Sequence, residues 1–404
     1  MRGSPLAVLI ATVLVDMIGF GIVLPLLPFY AESLGASPLE VTLLVASFSG
    51  MQLVAAPLWG RVSDRRGRKP LIVAGLFASA VSYLLFGLAR TLPLLFVSRM
   101  AAGASGGTIA VAQAYVADTT QAEDRARGLG LLGAAAGLGV MVGPAIGGFF
   151  SRWGLGVPGF VAAALCAANG VAAMRMLGES RPVRRGSGAA RGEAATLQGW
   201  VGAMVRYPLS LLLVVYFLSI SSFAALSSVL ALYAERAFGV GAQTMGVVFT
   251  VSGGTTVLVR GVLLGWSVRR FGEARTVRAG AAALGLALLS VPWIPSAWWL
   301  GLPAVMYAAG AGTLFPTLAS LVSRATDADS QGSILGGSQV VGGLGRVLGP
   351  VWAGFLFERV GAGAPFRFGA AMVLLALLLA FRIPRPGARA AAVSEGPGRR
   401  DVAV

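Results

Sequence analysis

Gly60-Arg-Val-Ser-Asp64-Arg-Arg-Gly67-Arg68-Lys-Pro70 places five cations and one aspartate in eleven residues. Long apolar runs precede and follow it, so it reads as a short charged turn joining two membrane helices, not as a basic patch on a soluble domain. Working outward, 56% of the 404 residues are hydrophobic and 12% charged, more apolar side chain than one soluble core encloses. The solvent has to be lipid. A span takes roughly 20 apolar residues, and such runs recur along the whole chain. The 57 glycines fit as well, because membrane helices associate through close approach of small residues.

Twelve spans follow from the apolar runs, at about residues 5–28, 40–59, 70–89, 93–116, 128–151, 156–177, 207–232, 243–266, 277–293, 297–322, 331–356 and 365–383. The fold class is therefore all-α and integral to the membrane. With the N-terminus inside, Arg61, Arg65, Arg66, Arg68, Lys69, Arg125, Arg127, Arg181, Arg184, Arg185, Arg191, Arg269, Arg270, Arg275 and Arg278 fall in cytoplasmic turns, and the outer loops keep Arg90, Arg152, Arg236, Arg359 and Arg367. This asymmetry puts both termini in the cytoplasm and accounts for the net charge of +16 without a nucleic-acid partner. Trp153, Trp293, Trp298 and Trp299 then lie near the outer interface. Residues 178–206, rich in Arg, Gly, Ser and Ala, form a flexible cytoplasmic linker between bundles 1–177 and 207–383, and 384–404 reads as a disordered cytoplasmic tail.

The two bundles repeat. Tyr30-Ala31-Glu32 recurs as Tyr233-Ala234-Glu235, Ser49-Gly50 as Ser252-Gly253, and Gly60 with its basic turn as Gly265 with Arg269 and Arg270. Gly139, Gly143-Pro144 and Gly148 recur as Gly345, Gly349-Pro350 and Gly354, and every offset lies between 203 and 206. Both halves start on one side, so the repeat is parallel, about an axis along the membrane normal, with a central site between the bundles.

Asp16 stands mid-span with Gly19 and Gly21 beside it. A carboxylate there is costly in lipid and is best placed facing an internal cavity; where that cavity alternately dries and wets, the group holds and releases a proton, which is a coupling site in outline. The bland alternative is an aspartate that only helps the bundle pack. Arg99, Arg260 and Arg346 are the other charges inside spans. Arg99 and Arg260 lie near span ends and have a route to an interface, whereas Arg346 is deep and faces the cavity. Their repeat partners are Val305, Pro57 and Val140, and that of Asp16 is Ser219, so none of these charges belongs to the repeated scaffold. Gln52, Gln113 and Gln339 are candidates for cavity hydrogen bonds or for bonds between helices. The chain has no histidine and one cysteine, Cys166, which leaves no pattern for a metal site, a cofactor or an enzyme nucleophile.

Together these features resemble the major facilitator superfamily, and within it the twelve-span drug:proton antiporters that include tetracycline exporters. Gly60 to Pro70 is similar to the signature between spans two and three, Asp16-Met-Ile-Gly19-Phe-Gly21-Ile-Val-Leu-Pro25 to the first-span motif, and Arg99 with Gly103 to the fourth-span motif. Gly139, Gly143, Pro144, Gly147 and Gly148 resemble the fifth-span motif of exporters, although four-residue spacing of small residues also serves helix packing alone. The resemblance implies two pseudo-symmetric six-helix bundles in a bacterial cytoplasmic membrane. It implies a monomer that exchanges protons for a small molecule, with Asp16 as the coupling residue and Arg99 and Arg346 tuning it or touching substrate. It further implies a cytoplasmic gate of Gly60, Asp64, Arg65, Gly67, Arg68 and Asp118, in which Arg68 pairs with Asp64 and Asp118 while Asp64 meets the start of span eleven near Ser330 to Ser333. Those contacts are expected only with the cytoplasmic ends closed, and on one side only, since Arg269 replaces Asp64 in the second half. An importer or a sugar or metabolite exporter of the same fold, or a membrane sensor that transports nothing, are the alternatives.

Overall fold

The computed structural model describes residues 5–180, 204–326 and 331–383. Most of the expected linker, the tail after 383 and Ser330 lie outside the described residues. The described chain is helical throughout. The first half contains α1 (Pro5–Val23), α2 (Leu27–Ser33), α3 (Pro38–Arg66), α4 (Arg68–Gly87), α5 (Leu92–Ser105), α6 (Thr108–Thr119), α7 (Ala122–Phe150) and α8 (Val157–Met176). The second contains α9 (Leu209–Phe238), α10 (Ala242–Leu258), α11 (Leu264–Phe271), α12 (Glu273–Ser290), α13 (Gly301–Arg324), α14 (Gln331–Arg359) and α15 (Ala364–Ala380).

Eleven helical stretches among the described residues are long and apolar enough to cross a membrane, and α15, at 17 residues, adds a shorter apolar helix. Twelve spans are reached only with that last helix, which stands at the short limit of spanning length. Local chemistry sets the boundaries. Ser37 and Glu40 close a reciprocal capping box at the start of α3 with Pro38 inside its first turn. Gly67, at φ 95°, turns the chain into α4.

Three expected spans are interrupted. The first breaks between α1 and α2 at a turn that contains Pro25, with Pro28 in the first turn of α2. The fourth breaks at Gly106-Gly107 between α5 and α6, where the Trp59 ring fills the space a side chain on Gly107 would need, and the Trp59 indole N–H donates to the Ala104 carbonyl at 2.6 Å. In the eighth, a π-turn over Val259–Leu263 separates α10 from α11.

The repeat is visible in the packing. α1 lies against α7 and α8, and α9 against α14 and α15. The halves meet along two seams, α3 on α14 and α7 on α10. Glycines make these approaches possible. Methyl groups on Gly139 and Gly143 would stand 2.6 Å from the α1 backbone or Met17, and one on Gly246 would stand 2.7 Å from the Pro144 carbonyl. Gly147 lies against Ile22 and Gly148 against Gln243 and Gly246, so the fifth-span motif packs α7 on α1 and, through Gly148, across to the other half.

Both seams run from one end of the molecule only to its middle. On one, Leu39 and Thr42 meet Gly354, Val347 meets Gly50, and Leu53 meets Gly343; on the other, Gln243 meets Gly148, Met141 meets Gly253, and Val257 meets Gly137. Beyond these points Gly60, Gly130, Gly133, Gly261 and Gly336 meet nothing within 4 Å where a side chain would begin. Among the described residues, close glycine contacts across the seams are thus confined to the half of the molecule away from the basic turn.

Candidate functional site

At the centre the two halves enclose a cavity of about 440 Å³, lined by residues of α1 to α7, α9, α10, α13, α14 and the π-turn. Its walls are mostly apolar and aromatic. Phe20 and Phe48 stand 5.5 Å apart on the first-half side, and Phe223 and Tyr307 stack at 4.5 Å on the other. Asp16 lines this cavity at 6% exposure, and Ser79 lines it too, its hydroxyl 3.2 Å from that of Ser105. Gly19, one turn on, lies against Tyr83 and the Cys166 sulfur, so the glycine makes room for the ring beside the carboxylate.

Arg99, Arg260 and Arg346 all line the same cavity. Arg99 does not reach an interface: it is 4% exposed, its guanidinium sits 4.8 Å from the centre of the Phe86 ring and 6.0 Å from that of Tyr83, and its Nη2 has no hydrogen-bond partner. Tyr83 lies within electrostatic reach of both Asp16 and Arg99. Arg260 sits in the π-turn, which adds a residue to the helix turn and re-aims a side chain toward the cavity. Gln52 lines the cavity and its amide reaches the Gly106 carbonyl at 3.5 Å.

The other two glutamines stand apart. Gln113 and Gln339 are exposed and do not line the cavity. Val111, Ala112, Tyr115 and Val116 give α6 its buried stripe, and the helical period turns Gln113 away from it. Gln339 precedes Arg346 by seven residues, two turns or roughly 10 Å along the helix, and so stands beyond the cavity toward the basic end.

At the basic end Arg68 is a hub. Its Nη2 is 2.7 Å from Asp64, its Nε donates to Asp118 at 2.9 Å, and its Nη1 donates to the Ser63 hydroxyl at 2.6 Å. These bonds lie inside the first half, among the end of α3, the start of α4 and α6. The expected meeting of Asp64 with Ser330 to Ser333 rests on Ser330 and on side chains of 331–333 that lie outside those described. The start of α4 is held instead by Glu179, which accepts from the backbone N–H groups of Arg68 at 2.9 Å and Lys69 at 3.2 Å. Residues 178–180 are thus docked, and the Tyr115 hydroxyl adds a bond to the Gly178 carbonyl at 2.9 Å. Arg65 is exposed, and a side chain on Gly67 would run into Glu179.

In the second half Glu273, 4% exposed, accepts from the Ser320 hydroxyl at 2.6 Å and pairs with Arg324 at 3.5 Å. At the opposite end the halves are clasped: Arg236 pairs with Glu32 at 3.4 Å, and Glu358 accepts from the Leu39 N–H at 3.1 Å.

The sequence matches the family model described as Major Facilitator Superfamily over residues 9–350 and again over 212–402. The chain belongs to the major facilitator superfamily. Among relatives, tetracycline resistance protein, class C, of Escherichia coli is 30% identical over 386 residues, covering 93% of this chain and 96% of its own. Multidrug resistance protein 2 of Bacillus subtilis is 27% identical over 373 residues, covering 92% of each chain. The human organic anion transporter MFSD10 (TETRAN) superposes with a TM-score of 0.68 at 26% identity, over 93% of this chain and 98% of its own. The nucleoside transporter NupG, at a TM-score of 0.74 and 12% identity over 94% of this chain and 98% of its own, shares the fold. The protein is thus a multi-pass membrane transporter of the superfamily, with helices from both halves of the chain around a central cavity.

Sequence reasoning passed over Glu179, Glu273 and the cavity position of Arg260. A signal for Glu273 was present: Gly272 follows Gly67 by 205 residues and Arg324 follows Asp118 by 206, so a hub is due at 273.

Proposed function

We propose that the protein is a proton-coupled exporter of small molecules working by alternating access, set in a bacterial cytoplasmic membrane with its basic end and both termini in the cytoplasm. Relatives named for tetracycline and multidrug resistance support export as the direction. Bundles 1–177 and 207–383 are the two rocking bodies, joined through 178–206, with 384–404 as a tail. A single chain is the transport unit.

The observation that carries the coupling is Asp16. It is the one carboxylate among the cavity-lining residues, it is almost fully buried, and its repeat partner is Ser219. An ionisable group so placed is retained for function more often than for packing. Asp16 takes a proton when the cavity faces outward and gives it up on the cytoplasmic side, where substrate enters in its stead. The two ligands then exclude each other, and each crossing carries one or the other. Asp64, Arg68 and Asp118, with Gly60, Arg65 and Gly67 in the same turn, set the gate at the cytoplasmic end.

Proteoliposomes with an imposed pH gradient test this, with tetracycline as the first solute on the strength of the relatives' names. Asp16→Asn is expected to lose uphill transport and keep downhill exchange. Uphill transport at the wild-type rate in that variant sinks the assignment.

A further inference from the structure

We infer that the transported molecule is amphoteric: an acidic group rests on Arg99 and Arg346, a basic nitrogen faces Asp16, and an aromatic body fills the space between Phe20 and Phe223. The inference rests on the reading of Asp16 as the exchange site and adds the chemistry of what is exchanged.

The arginines carry the acidic half. Elsewhere among the described residues Arg68, Arg236 and Arg324 each have a carboxylate within 4 Å. The three arginines of the cavity have none. Arg346 and Arg260 make no hydrogen bond or ion pair with any described residue, and Arg99 makes only a 3.5 Å contact from Nε to the Ser98 hydroxyl. Arg99 is also 4% exposed, with its Nη2 left without an acceptor. A buried guanidinium is costly unless its donors are taken up, and packing on Phe86 covers a face of the group without supplying an acceptor. The missing acceptor is one the ligand brings. A planar fork of N–H donors fits the paired oxygens of a carboxylate, sulfonate or phosphate.

Asp16 carries the basic half. Three guanidinium groups against one carboxylate give the cavity a surplus of positive charge, which by itself selects an anion. A lone anion, however, favours a protonated neighbour, so it and the proton would bind together rather than in exchange. A lone cation competes with the proton at Asp16 but leaves three arginines unanswered. A molecule with both groups satisfies both walls, and Tyr83 lies within electrostatic reach of both Asp16 and Arg99. The 440 Å³ of space and the aromatic pairs on its two sides suit a drug-sized aromatic body.

Nε-dansyl-lysine provides a probe with a free amino acid head on a fluorescent aromatic body. Its methyl ester keeps only the base, its Nα-acetyl derivative only the acid, and the doubly blocked form neither. Binding of the four is read by dansyl fluorescence on the purified full-length protein in detergent without a gradient, corrected against protein-free micelles. The free probe is expected to bind roughly tenfold or more tighter than any blocked form. Arg99→Gln and Arg346→Gln are expected to remove about that factor from the free and acetylated probes and leave the ester within about twofold. Asp16→Asn is expected to do the reverse, weakening the free probe and the ester. Arg346→Lys, which keeps the charge and loses the fork, is expected to fall between wild type and Arg346→Gln, showing that the pocket is intact.

Four probes of equal affinity, an ester that binds tightest, no binding of the free probe, or arginine variants that weaken all four alike overturn the inference. The two readings fail separately. A flat charge series overturns this one whatever the gradient experiment shows, and coupled transport by Asp16→Asn overturns the exchange site even if the arginines still sort the acidic probes.

Discussion

The turn between α3 and α4 and the turn between α11 and α12 are one design carried out with opposite charges. Gly67 and Gly272 both have positive φ, 95° and 80°, and lie 205 residues apart. Arg68 follows the first and Glu273 the second, at 6% and 4% exposure. Arg68 reaches Asp64 and Asp118; Glu273 reaches Arg324, the repeat partner of Asp118, while Arg269 stands where Asp64 would. Negative, positive, negative in one half becomes positive, negative, positive in the other. The fold thus requires a buried charged hub at this place and a counter-charge on the neighbouring span, but not a particular sign. The inversion has a consequence for two bodies that rock together: Asp64 and Arg269 hold matching places on two turns that are each net positive, so this pair attracts when the ends close, against the repulsion of the cations around it.

The hubs differ in how well they are satisfied. Arg68 has three side-chain acceptors, whereas Glu273 has one hydroxyl and a partner that is 67% exposed, and its Oε2 is bare. Arg68→Ala is therefore expected to do the most damage, about 2 to 3 kcal/mol, which is below the usual figure for a broken buried pair because Asp64 and Asp118 keep some solvent. A fall in apparent unfolding temperature in detergent reports it, and a loss under about 1 kcal/mol would show the hub to be decoration. Glu273→Gln keeps the Ser320 bond and loses a pair with an exposed partner, so it is expected to cost about 1 kcal/mol. The inversion itself is tested by Glu273→Arg combined with Arg324→Asp. Each change alone places like charges together; the pair restores attraction, so the double variant is expected to be more stable than the sum of the single losses by about 1 kcal/mol or more. Strict additivity would mean that polarity cannot be exchanged at this site.

How much of this was legible without coordinates depends on whether a position is fixed by periodicity or by tertiary contact. The span pattern, the parallel repeat and the burial of Asp16 follow from hydropathy and from the cost of charge in lipid; the structure shows eleven spanning helices and a shorter twelfth among the described residues, and buries Asp16. The first hub was legible because its neighbours are close in sequence or carried by a motif. The second was hidden, since matching Asp64 to Arg269 made the turn look empty; the hub sits four residues on, where a reversed sign defeats a search for like residues. Arg99 and Arg260 offered two readings, interface or cavity, and only the fold chooses. The π-turn that aims Arg260 has no period of its own in the sequence. Glu179 sits in a stretch whose composition suggests a tether, and nothing local says that its carboxylate caps a helix more than a hundred residues away.

That cap yields the next prediction down the scale. Glu179→Gln leaves an acceptor oxygen but removes the charge facing the start of α4, so the expected loss is about 0.5 to 1 kcal/mol, smaller again in high salt. An unchanged unfolding temperature at low salt would place the α4 start outside Glu179's control. Asp64 lies below even this in stability. Its side chain is 52% exposed, and exposed pairs contribute little, so Asp64→Asn is expected to change unfolding by less than about 0.5 kcal/mol. If attraction between Asp64 and Arg269 helps hold the closed end, the same variant should nonetheless shift the balance of conformers, because the lost charge then counts across the gap as well as within its own half. Spin labels at Arg65 and Arg270, both exposed on the two turns, read that distance in the full-length protein. Asp64→Asn should lengthen the mean distance relative to the unsubstituted labelled protein, and adding Arg269→Asn should produce little further change, since the attraction has already lost one partner. Equal additional lengthening from the second substitution would mean that the two turns do not sense each other, and that the inversion serves each half alone.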